Sequence, residues 1–275
     1  MTDPREVLTR PAPGPQATHP YGPGRDEVWE SYAAARTDGG AHGPGRRAGA
    51  PRPTVALVHG GFWWPDYDRT HLRPLAAALA ARGFPVASLE YPRPGMPRGG
   101  WPQTGDAVRA GLRAVVQAAT GANTGPVVAV GHSAGGHLAV LAVSGDDPVP
   151  LAGVVSLAGV LDLALAEAMN LDDGAARALL GTAPDADQAR WRSADPTRQR
   201  HHVPVVALHG ESDVTVPPAL SRSWSRSRTP ADAAHTLTLL PDVEHYGLID
   251  PTSPQFAVLT AAIEELAGPG IRCPA

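Results

Sequence analysis

Val127-Val128-Ala129-Val130-Gly131-His132-Ser133-Ala134-Gly135-Gly136-His137-Leu138-Ala139 decides how the rest of the chain is read. Four apolar, β-prone residues run into Gly-His-Ser-Ala-Gly, and a stretch rich in Leu, Ala and Val follows. The pattern predicts a buried strand, a sharp turn and a helix. Glycines at 131 and 135 let neighbouring backbone pass close, so the Ser133 hydroxyl projects above the sheet edge from a strained strand-to-helix turn. The same turn aims the first N–H groups of the new helix at whatever oxyanion forms there. A serine that only capped a helix would leave the flanking glycines without a purpose. A nucleophile is the reading this context supports.

Around that turn, the composition sets bounds. A chain of 275 residues fits one large α/β domain, with two small domains as the alternative. A hydrophobic content of 43% is ample for a buried core, and a formal charge of −4 provides no basic stripe for nucleic acid. Every cationic side chain is Arg, a bias of base composition and not a binding surface. Cys273 is the only cysteine, which excludes an intrachain disulfide and a Cys-based zinc site. Met1 to Arg10 has no apolar h-region, and no stretch approaches about eighteen uninterrupted apolar residues. A soluble cytoplasmic protein with neither membrane nor nucleic-acid partners is expected.

Strands and helices alternate along the chain. Residues 1–24, rich in Pro and Gly, read as an arm that orders on contact or a loose tail. Residues 25–268 are expected to form the domain, and 269–275 a tail. Asp26 to Ala33 alternates like an edge strand, and Thr37 to Pro53 reads as a loop. Thr54-Val55-Ala56-Leu57-Val58 is a strand buried on both faces, followed by His59-Gly60-Gly61-Phe62-Trp63-Trp64. A helix carrying Leu72, Leu75, Ala76 and Leu79 ends at Gly83. Phe84 to Tyr91 is a strand, Thr104 to Ala119 a helix, and 153–157 and 203–208 are strands. Leu161 to Arg192 reads as irregularly helical. Ser221 to Arg226 is helical, His235 to Leu240 is the last strand, and Phe256 to Leu266 is the terminal helix. The alternation predicts a mostly parallel sheet with helices on both faces.

In such a sheet ligands meet the carboxyl ends of the strands, and the informative residues stand there. Ser133 follows the central strand, Asp213 follows Leu208, and His245 follows Leu240. A Ser hydroxyl is a poor nucleophile until a base takes its proton, and His does so near neutral pH. A carboxylate then fixes the imidazole tautomer. Asp162, just after the preceding strand, is the alternative acid. The backbone N–H groups of Gly61, Phe62 and Ala134 are the candidate oxyanion donors; each such donor contributes about 3–4 kcal/mol in the transition state. His59 is read as a hydrogen-bonder that holds this loop. His132 and His137 lie five residues apart, which is not the spacing of a helical zinc pair, so no metal is expected. His201 and His202 are expected on an exposed loop. Trp63, Trp64, Tyr67 and Tyr246 lie beside these elements and form a candidate pocket wall, although Trp63 and Trp64 fit equally in the core.

These residues together resemble the α/β-hydrolase superfamily, in its esterase/lipase and kynurenine formamidase-like branch. His59-Gly60-Gly61-Phe62-Trp63 is similar to the His-Gly-Gly-x-Trp oxyanion motif of kynurenine formamidases. Gly131 to Leu138 is similar to their nucleophile segment, and Tyr21-Gly22-Pro23 with Asp26 to their approach to the first strand. The resemblance, over roughly residues 20–266, implies an α/β-hydrolase fold with a small cap formed by segment 161–200. It also implies that Ser133 attacks an acyl carbonyl with His245 and Asp213 assisting, and that no cofactor is needed. A carboxylesterase acting on a small-molecule ester or amide is expected first, a kynurenine formamidase (arylformamidase) second. An acyltransferase and a non-catalytic binding protein are the remaining alternatives.

Overall fold

Apolar runs become buried strands, and the computed structural model orders them into one sheet. It describes residue 3 and residues 5–35, 52–122 and 124–268. The first elements are a short helix α1 (Glu6–Thr9) and strands β1 (Ala17–Pro20), β2 (Val28–Tyr32) and β3 (Thr54–Val58). A 3₁₀ turn (Arg69–Leu72) leads into α2 (Arg73–Ala81), then β4 (Val86–Leu89) and α3 (Gln103–Gly121). The centre is β5 (Val127–His132), α4 (Ala134–Ala142) and β6 (Gly153–Leu157). Three short helices, α5 (Leu163–Ala168), α6 (Ala175–Leu180) and α7 (Gln188–Ala194), lie between β6 and β7 (Val205–Gly210). The chain continues through α8 (Ala219–Arg226), β8 (His235–Leu240), a 3₁₀ turn (His245–Leu248) and α9 (Gln255–Leu266).

The eight-stranded sheet runs β1-β2-β4-β3-β5-β6-β7-β8. From β4 to β8 neighbours are parallel; β1 and β2 add an antiparallel edge. Period-two alternation splits each central strand between two cores. Ala56, Val58, Val127 and Ala129 face a core shared with α3, α4 and α8. Val55, Leu57, Val128 and Val130 face one shared with α2 and α9. The two layers of helix predicted from alternation are therefore present.

Two stretches differ from their sequence reading. β1 pairs with β2 from Ala17↔Ser31 to Pro20↔Val28, so part of the Pro-rich arm is sheet. Pro20 is tolerated there because β1 is an edge strand. His201, expected on an exposed loop, is fully buried: it bridges Ser144, and its Nδ1 lies 3.0 Å from the Val203 carbonyl. Residues 37–51 of the predicted 37–53 loop, and the predicted tail with Cys273, lie outside the described residues. Among the described residues no helix is long and apolar enough to cross a membrane.

His137 on α4 pins the α5–α7 segment to the sheet. It is fully buried, and its Nε2–H donates to the Ala194 carbonyl at 2.7 Å. Burial pushes its pKa down to about 4, so the folded ring stays neutral. The unfolded chain therefore takes up a proton first as pH falls below about 6.5, and stability is lost from there down to the folded value. His137→Gln should flatten the pH dependence of unfolding between about pH 4.5 and 6 by about 1.4 kcal/mol per pH unit. Urea titrations of both proteins across that range check it.

Candidate active site

Ser133 sits between β5 and α4 with φ 55° and ψ −120°, a conformation an L-residue rarely adopts. The surrounding backbone holds it there. Its N–H donates to Leu157 O on β6 at 2.9 Å, and its carbonyl accepts from Gly136 N at 3.0 Å. A Cβ on Gly135 would lie 2.1 Å from the Val58 carbonyl oxygen, and one on Gly131 2.2 Å from the Gly135 oxygen. Only glycine permits that approach. Ala134 begins α4, where backbone N–H groups have no partner within the helix.

The loop after β3 passes beside this turn: a Cβ on Gly60 would stand 2.9 Å from Ser133 Cβ. Gly61 (φ 105°), Phe62 (φ 46°) and Trp63 (φ 61°) all have positive φ, so the loop is strained and needs anchors. His59 provides them. Its Nδ1 lies 2.8 Å from Gly60 O and its Nε2 3.0 Å from Glu90 Oε1, while Tyr91 donates its hydroxyl to His59 O at 2.8 Å. This is the structural role expected for His59. Glu90 is buried, which by itself would raise its pKa; His59 and Arg93 more than offset that and hold it well below the carboxylate range. Arg69 reaches both Glu90 and the buried Glu30, to which Arg73 also bonds.

Asp213 follows β7, and its Oδ1 accepts from Thr215 N at 2.9 Å and Val216 N at 2.8 Å. Its Oδ2 lies 2.7 Å from His245 Nδ1 and 3.4 Å from His209 Nε2. Burial alone would raise the Asp213 pKa, but hydrogen bonds from His209 and His245 outweigh it and keep the group ionised. An ionised carboxylate only accepts, so His245 Nδ1 carries the proton of this bond, and in the neutral imidazole Nε2 is the acceptor. Asp162, the alternative acid, is engaged elsewhere: it caps α5 through Leu165 N at 2.8 Å and accepts from Ser223.

Gly61, Phe62, Ser133, His245, Tyr67 and Tyr246 line one cavity of about 150 Å³. Trp63 does not reach it; it is buried in the core with its ring edge-on to His137 at 5.1 Å. The Gly61 turn points it inward, away from the proposed wall. Trp64 lies off the cavity as well, its Nε1–H donating to Asp172, which does line the cavity. Arg5, Leu8, His71, His132 and Thr215 complete the lining. No periodicity or motif marks these residues, apart from His132 beside Ser133. His132 Nε2 lies 3.2 Å from the His245 carbonyl, and burial keeps the ring neutral. It therefore donates to that carbonyl and braces the loop carrying His245. Among the described residues no group of His, Cys, Asp and Glu could hold a metal ion.

Residues 44–227 match the BD-FAE family. The chain belongs to that family. BD-FAE proteins are α/β-hydrolase esterases, and the sheet order and the serine turn described above agree with that fold. Esterase LipQ of Mycobacterium tuberculosis is 31% identical over 252 residues, covering 82% of this chain. This BD-FAE chain spans only 56% of that relative's length. A truncated carbohydrate esterase from gut microbiota superposes with a TM-score of 0.72 at 18% identity, covering 93% of this chain and 99% of its own. Esterase B from Lactobacillus rhamnosis superposes with 0.71 at 18% identity, covering 96% and 90%. At such identities the likeness is one of fold.

The buried charges beneath the His59–Phe62 loop give a test. Glu90→Gln leaves Arg93 buried without its carboxylate, and losing one partner of a buried pair costs about 3–5 kcal/mol. The variant of this BD-FAE member should unfold at correspondingly lower denaturant. A midpoint equal to wild type in guanidinium titration would show the network to be idle.

Proposed function

We propose that this chain hydrolyses carboxylic esters through an acyl-enzyme on Ser133. The observation that carries the reading is the 2.7 Å bond from His245 Nδ1 to Asp213, with His245 and Ser133 on one cavity. Ser133 Oγ attacks the acyl carbon while His245 Nε2 takes its proton. The oxyanion is met by the N–H groups of Gly61, Phe62 and Ala134, already aimed by strained or helix-initial backbone. The intermediate collapses, and the leaving alcohol receives the proton from His245. Water then repeats the sequence on the acyl-enzyme and frees Ser133. The steps balance without a cofactor.

Cavity size favours a small acyl group. About 150 Å³ holds a body the size of benzene and is well below the roughly 300–1,000 Å³ of drug-sized sites. A short-chain carboxylesterase is the first reading. Arylformamidase is the second, because formyl is the smallest acyl group and Phe62, Tyr67 and Tyr246 provide aromatic surface at the site.

Turnover of p-nitrophenyl acetate and N-formyl-kynurenine separates these readings. Ser133→Ala should abolish activity. Asp213→Asn should lower kcat by about 10⁴-fold, because the imidazole tautomer is no longer enforced. Preferred deformylation selects the arylformamidase, and an acylated product formed with added alcohols or amines selects an acyltransferase. Full activity in Ser133→Ala, or none in wild type, would end the hydrolase reading; the latter leaves a binding protein.

A further inference from the structure

The catalytic cavity is not closed by the strand-end loops alone. Arg5 and Leu8 line it, and both come from the segment before the first strand. Three contacts hold that segment in place. Val7 is 1% exposed and sits in the core that contains Leu72, Leu248 and Ile249. α1 packs on the 3₁₀ turn Arg69–Leu72, whose His71 also lines the cavity. Arg10 then makes a two-pronged ion pair with Asp250, Nη1 to Oδ1 at 2.5 Å and Nη2 to Oδ2 at 2.9 Å. Asp250 lies just past the turn that carries His245. The arm is thus tied to both sides of the site.

We propose that residues 5–10 form a wall of the catalytic cavity and set the length of acyl chain it accepts, with Leu8 as the residue that limits it. The proposal rests on the hydrolase reading. Selection is by shape and not by charge. Arg5 and Asp172 both line the cavity, so opposite formal charges share its rim. Leu8 instead brings an aliphatic side chain, partly buried against the apolar core. In a cavity of about 150 Å³ the few carbons of one leucine matter: each methylene accommodated or refused is worth roughly tenfold or more in specificity. Leu8→Ala removes three carbons from the wall, the difference between an acetyl and a pentanoyl group.

The test compares p-nitrophenyl acetate, butyrate and hexanoate in wild type, Leu8→Ala and Val7→Asp. The last places a charge in an apolar site and should release the arm without touching the cavity lining. Both variants should raise the hexanoate-to-acetate ratio of kcat/KM at least about tenfold, while remaining dependent on Ser133. Trypsin cleavage of the Arg5–Glu6 bond reads docking without any turnover, and it should be at least about tenfold faster in Val7→Asp than in wild type, as expected when a docked segment is freed. A Ser133-dependent wild type whose acyl profile shifts in neither variant overturns the wall. If wild type turns over no ester, the hydrolase reading fails and trypsin decides. Equal cleavage in wild type and Val7→Asp then overturns the docked arm, and protection in wild type supports it.

Discussion

Backbone meets backbone where α4 crosses the end of β3, and the site is built on that contact. The Gly135 Cα faces the carbonyl groups of Val58 and His59 so closely that a Cβ would stand 2.1 and 2.4 Å from their oxygens. With no side chain between them, the serine turn and the His59–Phe62 loop become one rigid unit. The unusual dihedrals of Ser133 are the cost of this arrangement, of order 1–3 kcal/mol for such a residue. They persist because β6 takes its N–H and the first turn of α4 its carbonyl. Ser133 and the Gly61–Phe62 amides are therefore placed by the sheet itself.

Charge is distributed unevenly beneath this unit, and the distribution sorts the histidines. Glu90 takes His59, Arg69 and Arg93, Arg69 also pairs with Glu30, and Glu30 with Arg73, so a chain of paired charges runs from β2 to the His59–Phe62 loop. Such a network adds little net stability over apolar packing, but it fixes the direction of a loop whose own dihedrals are strained. His71, His132 and His137 have no carboxylate bond, and burial keeps each of them neutral. At the site it is His245 whose Nδ1 meets a carboxylate. His209 also lies near Asp213, yet its Nε2 is nearer the Val216 carbonyl, at 2.8 Å, and its Nδ1 is taken by Ser221. His132, tilted against His245 with ring centroids 4.5 Å apart, would repel an imidazolium there if it were charged; burial holds it neutral.

What the sequence announced, and what it hid, follows from the range of the interactions. β3, β5 and β6 are buried on both faces, so they are uninterrupted apolar runs, legible by eye. Ser133 and Asp213 were legible because each sits past an apolar strand, and His245 because it follows the last strand; the geometry brings Asp213 to His245. Trp63 was ambiguous because an aromatic beside a glycine turn can face either way, and only the φ values of Gly61 and Phe62 decide it. His201 looked exposed because two adjacent histidines read as polar; its burial comes from Ser144, Asp232 and Trp224, all distant in sequence. β1 was hidden because it is an edge strand whose pairing with β2 compensates for a mostly exposed, Pro-ended sequence.

The serine turn and the cavity walls are consequently written in different parts of the chain. Ser133, Asp213 and His245 stand past strand ends, which carry local signatures. The rest of the cavity is made by Arg5 and Leu8 from one end of the chain, Asp172 from the segment between β6 and β7, and Thr215 and Tyr246 from two later loops. Each is there because its segment docks, through Val7, through the Trp64–Asp172 hydrogen bond, or through the amides that cap Asp213. Asp172 even takes a left-handed φ of 46° to reach the rim. Substitutions at Val7 or in the Trp64–Asp172 contact would reshape the cavity without touching Ser133, His245 or Asp213. The walls of such a fold can vary while the serine turn stays fixed, because the backbone contact that holds Ser133 shares no residue with the contacts that hold the walls.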